Sequence, residues 1–451
     1  MGWDMRETLV KTEEFKDSPV GRIPKDWDVS SLAALTQYIT YGFTNPMPTT
    51  KDGPWMITAF DIANGKICYG QARHTSEKAY KNDLTQKSKP NLGDILITKD
   101  GTLGRIAVVD RTGICINQSV ACLRPLLDTD VRFLVHYLRS DIGQERMLAD
   151  AGGSTIKHIY ITKLAQMEVP VPPREERTRI SDILDTIDST IAHTSSLIAK
   201  LKQMKAGLLH DLLTRGLDEN GELRDAIGHP EQFKDSPLGQ IPKDWEIRTC
   251  ESVCREIVVG IVIKPSQYYQ SSGVPALRSA NVREAGLNPS DLVFISERSN
   301  RLLAKSMIRR GDVLTVRTGY PGTSCVVPPE FNGANCVDII ISRPGAEIES
   351  AFLATWINSD FGKDQVLRVQ GGLAQQHFNV GELQKLLIAK PSIEEQRVIQ
   401  TRIEAYDTRI RTEEAYRDKL KLQKQGLMHD LLTGKLRIKD ADKFTSASDT
   451  V

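Results

Sequence analysis

Residues 174–214 read REERTRISDILDTIDSTIAHTSSLIAKLKQMKAGLLHDLLT, and the rest of the chain is organised around them. The segment follows a pair of prolines, contains no proline itself and has one interior glycine, Gly207. Its apolar residues recur in steps of three and four, which predicts one continuous amphipathic helix with some heptad character. These residues are Ile180, Ile183, Leu184, Ile187, Ile191, Leu197, Ile198, Leu201, Met204, Leu208 and Leu212. At 1.5 Å per residue the helix would be about 60 Å long, so we expect a second helix to pack along it.

The chain supplies this second helix at residues 393–433. Its apolar stripe consists of Ile399, Ile403, Tyr406, Ile410, Tyr416, Leu420, Leu427 and Leu431. Its end, KLKLQKQGLMHDLLTGKL (419–436), repeats KLKQMKAGLLHDLLTRGL (200–217), with 11 of 17 identities from Leu201 to Leu217 at an offset of 219. Matching stripes predict an intramolecular coiled coil, antiparallel or parallel. Two unrelated core helices of two similar domains are the alternative.

The repeat extends over most of the chain. FKDSPVGRIPKDWDV (15–29) returns as FKDSPLGQIPKDWEI (233–247), with 11 of 15 identities at an offset of 218. Weaker matches join GDILITKDGTLGRIAVV (93–109) to GDVLTVRTGYPGTSCVV (311–327), and FLVHYLRSDIGQ (133–144) to FLATWINSDFGK (352–363). A period above 200 residues indicates a duplicated domain rather than a solenoid.

Each copy is predicted to be a globular body followed by a long helix. Short β-type runs at 55–60, 94–98 and 105–109 are separated by turn signals, and an amphipathic helix starts at Val131. The predicted fold class is α+β, with two mixed α/β domains separated and held by two long helices that form an intramolecular coiled coil with an internal pseudo-twofold repeat. The predicted boundaries are an N-terminal segment 1–14, a first domain 15–172, a central helical spacer 173–217, a linker 218–232, a second domain 233–391, a distal helical spacer 392–438 and a flexible tail 439–451.

Composition limits the classes of function. The 451 residues carry a formal net charge of +1, so any attraction to nucleic acid must come from local basic surface. The seven cysteines form no C-x-x-C pair and have no histidine pair nearby, which predicts buried reduced thiols and no metal site. The sequence contains no signal peptide and no apolar run of 18 residues, so we expect a cytoplasmic protein.

Catalytic motifs are absent from the sequence. It contains no phosphate-binding G-x-x-x-x-G-K-[ST] loop, no H-E-x-x-H and no G-x-S-x-G. Asn45-Pro46 and Asn288-Pro289 do not continue into the Asn-Pro-Pro-aromatic loop that amino-methylating enzymes use. We therefore expect no catalytic site in this chain and no cofactor bound by it.

The order body–helix–body–helix resembles the specificity subunit of Type I restriction–modification enzymes. The resemblance is carried by IPKDW, GDILITKDGTLG, GDVLTVRTGYPG, GGSTIKHI…VPVPPREER, GGLAQQHF…AKPSIEEQR and the twin GLLHDLLT and GLMHDLLT, and it covers residues 15–438. It implies that each body is a target recognition domain for one half of a bipartite double-stranded DNA sequence, and that the coiled coil fixes the gap. The chain departs from the family pattern where the helices end, at Arg215-Gly216 and Gly434-Lys435, which leaves the exact helix ends open.

The resemblance also implies partners. Two modification subunits, which hold S-adenosylmethionine and methylate adenine at N6, would dock on this non-catalytic chain, and two restriction subunits that use ATP and Mg²⁺ would join them. A specificity subunit that serves methylation only is one alternative. A coiled-coil scaffold that does not read DNA is a second, and one end of a fused nuclease–methyltransferase is a third.

Loops are the candidates for DNA contacts, because the strands common to both copies form the scaffold. Arginine and lysine pair with guanine or phosphate, and asparagine and glutamine pair with adenine. The candidates in the first copy are Tyr41, Asn45, Thr58, Lys99, Thr102, Arg105, Thr155, Lys157 and His158. Those in the second copy are Lys264, Arg278, Asn281, Arg317, Thr318, Tyr320, Gln375, Gln376 and His377. Gly42 and Gly260 would allow close backbone approach to DNA. Ordinary turn chemistry is the alternative for the loops, and a place in the core is the alternative for Tyr41.

The dipeptides His210-Asp211 and His429-Asp430 occupy the same place in the two repeated helix ends. Their duplication favours subunit docking or helix packing over metal binding. These four residues are the predicted docking residues.

Overall fold

The computed structural model describes residues 9–149, 157–369 and 377–438, and the chain divides into two units. Unit 1 comprises Met1–Ser195 and Ala415–Val451, and unit 2 comprises Ser196–Glu414. Each long helix therefore contributes one part to each unit. The candidates Thr155, Gln375 and Gln376, the predicted tail and the first eight residues lie outside the described residues.

The three helices predicted from the sequence are present, and further helices accompany them. The helices are α1 (Glu77–Asn82), α2 (Val131–Arg139), α3 (Asp141–Ala149), α4 (Ile161–Gln166), α5 (Arg174–Thr214), α6 (Cys250–Val253), α7 (Glu297–Leu302), α8 (Ser350–Asn358), α9 (Asp360–Val369), α10 (Val380–Lys385) and α11 (Ile393–Leu432). The long helix α5 has the predicted bounds, and α11 ends one residue earlier than predicted. A glycine with positive φ follows each of them, Gly216 at 60° and Gly434 at 69°, so both helices end in the same way.

The strands of unit 1 form a four-stranded sheet, a three-stranded sheet and several two-stranded pairs. Those before α5 are β1 (Leu9–Lys11), β2 (Phe15–Lys16), β3 (Ile23–Pro24), β4 (Asp28–Ser31), β5 (Thr36–Tyr41), β6 (Thr50–Ile57), β7 (Ile62–Ala63), β8 (Lys66–Ile67), β9 (Arg73–His74), β10 (Ile95–Thr98), β11 (Ile106–Val108), β12 (Ile114–Ile116), β13 (Val120–Pro125) and β14 (Glu168–Val171). The larger sheet has the order β11-β10-β13-β5 and the smaller one β12-β6-β9. The predicted run at 55–60 ends as a strand at Ile57, because Ala59–Asp61 is a single helical turn.

Unit 2 repeats this plan. Its strands are β15 (Phe233–Ser236), β16 (Gly239–Pro242), β17 (Glu246–Thr249), β18 (Cys254–Val259), β19 (Tyr269–Gln270), β20 (Val274–Leu277), β21 (Val282–Arg283), β22 (Gly286–Leu287), β23 (Val293–Ile295), β24 (Val313–Val316), β25 (Ser324–Val326), β26 (Asn335–Cys336), β27 (Ile339–Pro344) and β28 (Leu387–Lys390). The larger sheets have the orders β18-β27-β24-β25 and β19-β23-β20-β26. The last described strand, β29 (Leu436–Ile438), belongs to unit 1, where it pairs with β1.

One end of each four-stranded sheet positions the candidate site. In unit 1 all three strand pairings are antiparallel, so β5 and β10 end where β11 and β13 begin. In unit 2 β18 and β24 end where β25 and β27 begin, for the same reason. We call this the loop end of each unit. The weak sequence repeat between 93–109 and 311–327 thus corresponds to the same pair of strands in both copies.

The two long helices run antiparallel within each unit. In unit 1 Lys424 of α11 lies 2.7 Å from Asp188 of α5. Leu431 and Leu432, which follow Lys424, share one core with Ile180 and Leu184, which precede Asp188. In unit 2 Lys205 of α5 lies 2.6 Å from Asp407 of α11. The start of one helix thus meets the end of the other in both units. The two ion pairs are related by the sequence repeat, since each residue lies 219 positions from its counterpart.

A buried glutamate ties the start of each long helix to a tryptophan of its body. In unit 1 the Trp27 indole donates to Glu176 at 3.0 Å, and Arg437 of β29 donates to the same carboxylate at 2.6 and 2.7 Å. Arg437 also binds Asp26 and holds the pKa of that carboxyl below its ordinary value. The arginine therefore connects the last described strand to both the body and the long helix of unit 1.

Unit 2 contains the same arrangement with a different arginine. The Trp245 indole donates to Glu395 at 3.0 Å, and Arg224 donates to Glu395 and to Asp244, each at 2.9 Å. Arg224 follows the end of α5 and Arg437 follows the end of α11, but Arg224 lies further beyond its helix. Both copies therefore use the same chemistry, although the arginine comes from different places in the repeat.

Candidate nucleic-acid interface

The loop end of unit 1 brings together candidates that are far apart in the sequence. Tyr41 ends β5, Lys99 follows β10 and Arg105 precedes β11. A later segment joins them, because the Ile159 amide donates to the Lys99 carbonyl at 3.0 Å. Tyr41, Lys99 and Arg105 therefore belong to one surface, and the residues around 157–159 lie beside it.

Lys99, Asp100 and His158 form a hydrogen-bonded group on this surface. The Lys99 ammonium lies 2.9 Å from one carboxylate oxygen of Asp100, and the His158 ring contacts the other oxygen. Burial raises the pKa of Asp100, but the hydrogen bonds from Lys99 and His158 outweigh burial and hold this pKa below its ordinary value. Lys99 is buried, so its charge is already compensated within the protein. Its position suits holding the two loops together better than reaching for DNA.

A groove of about 350 Å³ opens beside Tyr41. Tyr41 is 40% exposed, and the Lys87 ammonium lies 5.8 Å from the centre of its ring. Asn45 is exposed on the same groove, while Phe43 and Met47 pack against the core beneath it. Tyr41 is thus a surface residue and not a core residue. Lys87 was absent from the sequence candidates, because a solvated lysine in a polar loop carries no signal until the fold brings it to Tyr41.

The glycines beside these loops serve the protein's own backbone. A Cβ atom on Gly42 would lie 1.7 Å from the Ile116 carbonyl oxygen, and one on Gly260 would lie 2.5 Å from the Cys336 carbonyl oxygen. The residue after each glycine forms a parallel bridge to a neighbouring segment. The expectation that these glycines admit DNA is therefore wrong, since the backbone they approach is that of a strand in the same unit.

Thr58 is occupied by local hydrogen bonds. The Asp61 carboxylate accepts from the Thr58 amide at 2.8 Å and from its hydroxyl at 2.7 Å, which caps the helical turn that follows β6. Arg105 donates to the Ile62 carbonyl at 3.1 Å but remains exposed, and Thr102 is exposed in the turn between β10 and β11. Arg105 and Thr102 thus keep groups available to solvent, whereas the Thr58 hydroxyl already donates its hydrogen.

The loop end of unit 2 has the same construction. The Phe378 amide donates to the Arg317 carbonyl at 3.0 Å, as the corresponding amide does in unit 1. The Arg317 guanidinium is paired with Asp338 at 2.5 Å, and the Thr318 hydroxyl lies 3.2 Å from the His377 ring. In both units the cation that follows the central strand is paired with a carboxylate, but that carboxylate comes from a different loop in each.

Asn281 is a structural residue. Its side-chain oxygen accepts from the Arg278 amide at 2.8 Å, and its amide group donates to the carbonyls of Asn288 and Ser290 at 3.0 and 2.8 Å. It is 1% exposed and occupies the position of the capping Asp61 in unit 1. The expectation that Asn281 reads a base does not fit this burial. Arg278 is partly exposed and forms an ion pair with Asp291 at 2.8 Å.

Four further candidates are exposed at the two loop ends. These are Lys157 in unit 1 and Lys264, Tyr320 and His377 in unit 2. Tyr320 is 80% exposed in the turn between β24 and β25. Lys264 has a φ of 42°, a left-handed conformation that is uncommon for a residue with a side chain.

The predicted docking residues lie on the surfaces of the long helices. His210 is exposed on one side and stacks on Phe361, with 5.9 Å between ring centres. His429 is exposed and lies 2.7 Å from the Lys435 ammonium. Asp211 lies 4.0 Å from Arg215, and Asp430 is partly buried. The leucine pairs that follow these histidines are buried in the cores, which explains why the repeated ends need both polar and apolar residues.

The residues that the structure describes offer no metal site. They contain no group of three His, Cys, Asp or Glu side chains arranged to hold a metal ion. All seven cysteines are free thiols, but Cys68 and Cys254 are only half-buried, so the expectation of burial holds for the other five. No helix in the described part of the chain is both long and apolar enough to cross a membrane.

Comparison with known proteins gives a consistent family. A family model described as "Type I restriction modification DNA specificity domain" matches residues 24–203. The type I restriction enzyme MjaVIII specificity subunit of Methanocaldococcus jannaschii is 23% identical over 440 residues, which cover 96% of this chain and 98% of the relative. The EcoBI specificity subunit of Escherichia coli is 23% identical over 379 residues, covering 81% of this chain and 76% of the relative.

The fold is also shared with a solved structure. A type I restriction–modification S subunit from M. genitalium superposes with a TM-score of 0.54 at 18% identity, over 92% of this chain and 96% of the other. Members of this family are the non-catalytic subunits of their complexes, which confirms the expectation that this chain is not itself an enzyme. In its duplicated bodies and paired long helices, and over nearly its whole length, the chain is similar to the specificity subunits of type I restriction–modification enzymes.

Proposed function

We propose that each of the two bodies of this specificity subunit reads one half of a bipartite double-stranded DNA sequence. The observation that carries the proposal is the convergence of separate candidate loops at one loop end in each unit. The two loop ends share a backbone framework but carry different side chains. Two surfaces with different side chains would recognise two different DNA half-sites.

In the first domain we assign different roles to the residues of the loop end. Lys87, Arg105 and Lys157 are exposed cations and suit phosphate or guanine contacts. Asn45, exposed on the groove beside Tyr41, has an amide group that suits adenine. Lys99 is a positioning residue for the loop that carries Thr102.

In the second domain the exposed residues Lys264, Tyr320 and His377 are the proposed contacts, with Arg278 at their edge. Arg317 and Thr318 hold the two loops together through Asp338 and His377. Thr155, Gln375 and Gln376 remain predictions from the sequence.

We further propose that the paired long helices set the number of unread base pairs between the half-sites and dock the partner subunits. The predicted partners are two modification subunits carrying S-adenosylmethionine and two restriction subunits using ATP and Mg²⁺. His210, Asp211, His429 and Asp430 are the proposed docking residues, and the complex would act in the cytoplasm. A complex with modification subunits alone is the second candidate.

Methylation mapping tests the proposed function. The chain is co-expressed with the modification subunit encoded beside it, and the host DNA is sequenced by a method that detects N6-methyladenine. We expect new methylation in a two-part motif with a gap of fixed length. No new methylation from an intact complex would favour a scaffold that does not read DNA, and a single uninterrupted motif would contradict the reading of two half-sites.

Replacing Lys87 by glutamine is expected to make DNA affinity less dependent on salt, with a change of about one in the slope of log K against log salt concentration. The recognised motif should stay the same, because a phosphate contact carries no base information. A titration of the complex with its mapped target over a series of salt concentrations measures the slope. Lys200→Gln on the exposed face of α5 is the matched control, and an equal change in both variants would contradict the contact.

A further inference from the structure

Two adjacent apolar side chains are exposed beyond β18 in unit 2. Ile263 is 75% exposed and Val262 is 47% exposed. Removing apolar side chains from water is favourable, so a partner that covers both residues would gain affinity from them. Single exposed apolar residues are common on protein surfaces, so exposure alone does not assign a function to Val262 and Ile263. Their location in the fold is the evidence for a function.

The backbone holds these two residues at a fixed tip. Ile261, immediately before them, is 5% exposed and forms a parallel bridge with Val337. Lys264, immediately after them, has φ 42° and ψ 57° and turns the chain into the helical turn Pro265–Tyr268. A left-handed conformation is unfavourable for a residue with a Cβ, so this sharp reversal is stabilised by its surroundings. The tip is thus anchored on both sides.

The tip adjoins the other proposed DNA contacts of unit 2. The Asp338 amide donates to the Ile261 carbonyl at 3.1 Å, and the Asp338 carboxylate pairs with Arg317 at the start of the Tyr320 turn. Lys264 is exposed, and no ion pair of its side chain occurs within residues 9–149, 157–369 and 377–438. Apolar side chains beside an exposed cation match a DNA duplex, in which phosphates surround a stack of apolar base faces.

The corresponding place in unit 1 is polar. Phe43 occupies the place of Ile261, since each follows its glycine and forms the parallel bridge, and Thr44 and Asn45 then stand where unit 2 has valine and isoleucine. A partner subunit that binds both repeats would need similar residues in both. An asymmetric DNA target would not, which favours DNA over a protein as the partner of this tip.

We propose that Ile263, supported by Val262, enters the base stack of the DNA half-site bound by unit 2 and partly separates one base step, with Tyr320 covering a neighbouring base. Isoleucine is among the side chains that proteins insert between base steps in this way. The inference rests on the proposed reading of DNA by unit 2 and adds how that reading is done. Specificity at this step would come from the ease with which the step unstacks, since flexible pyrimidine–purine steps open most readily.

The test uses the complex of the full chain with its modification subunits, bound to the mapped target. 2-Aminopurine replaces one base at a time in both half-sites, except at the methylated adenines, and its fluorescence reports local unstacking. The wild-type complex should give a fluorescence rise at one step in one half-site. Ile263→Ala should abolish that rise and weaken binding about tenfold, the equivalent of 1.4 kcal/mol.

Ile227→Ala is the matched control, because Ile227 is 94% exposed in the segment between α5 and the second body. It should leave both the fluorescence and the affinity unchanged, and equal melting temperatures would establish that both variants fold. Specific binding without a rise at any step would overturn the wedge and leave the reading of DNA intact. Absence of sequence-specific binding by the wild-type complex would overturn the proposed function itself. Loss of modification subunits from the Ile263→Ala complex would assign the tip to a protein partner and overturn the inference.

Discussion

Replacing Glu176 by alanine is expected to lower the free energy of unfolding of unit 1 by about 3 kcal/mol. The carboxylate is 8% exposed and accepts hydrogen bonds from the Trp27 indole and from Arg437. Without it, a fully buried indole N–H loses its acceptor and the Arg437 guanidinium loses one of its two carboxylate partners, Asp26 being the other. A buried donor left unsatisfied costs about 1–3 kcal/mol, and the loss of the charged partner adds to this cost.

Hydrogen exchange measured by mass spectrometry in a urea series would report this loss for unit 1 separately from unit 2. The amides of β1 and β29 are the most informative, because Arg437 lies in β29. Glu175→Ala is the matched control, since Glu175 is the same residue type one position earlier and is exposed. Its effect should stay within about 0.5 kcal/mol. Equal effects of the two substitutions would contradict the role assigned to the buried carboxylate.

Lengthening both long helices by one heptad is expected to abolish methylation at the native target and to create a new target with a longer gap. One heptad is inserted in α5 after Ala199 and a second in α11 after Ala415, on the same side of the Lys202–Glu414 ion pair. Seven residues add about 10 Å of helix, which corresponds to about three base pairs. Paired insertions keep the apolar stripes of both helices aligned, whereas an insertion in one helix alone would shift its stripe against the other.

Methylation mapping of the lengthened chain measures this outcome. The half-site sequences should remain as they were, because neither body is changed. The control carries the same seven residues after Ile227, in the exposed segment between α5 and the second body, and should keep the native gap. If the chain with the paired insertion still methylates DNA and the gap is unchanged, the length of the helices does not set the spacing of the half-sites.

Helix prediction succeeded because its signal is local. The apolar stripe of α5 and the flanking prolines are contained within the segment itself, and the structure has the predicted bounds. The antiparallel orientation was left open, since either orientation buries the same stripes. Ion pairs such as Lys424–Asp188 identify the orientation, but they join residues 236 positions apart, and no local pattern contains them.

The candidate site was predictable only where its signal is local in the sequence. Exposed turn residues such as Thr102 and Tyr320 follow from turn signals between two strands. Asn281 was misjudged, because a buried asparagine that caps a helical turn and an exposed one that reads adenine have the same sequence appearance. Asp100, which compensates the charge of Lys99, is its neighbour in the sequence, but only the fold buries Lys99 and brings the His158 ring to the same carboxylate.

The pairing of β1 with β29 has a consequence for biosynthesis. Unit 2 is built from one continuous segment, Ser196–Glu414, whereas unit 1 also needs α11 beyond Glu414 and the strand that carries Arg437. Domains fold during synthesis once their residues have left the ribosome. The second body to be translated is therefore the first that can finish folding, and the earlier one must wait with an unfilled hydrophobic surface until the last helix emerges. A chain that ends at Glu414 and has been released from the ribosome would expose the Trp27 region to chaperones, while the tryptophan of unit 2 would already be enclosed.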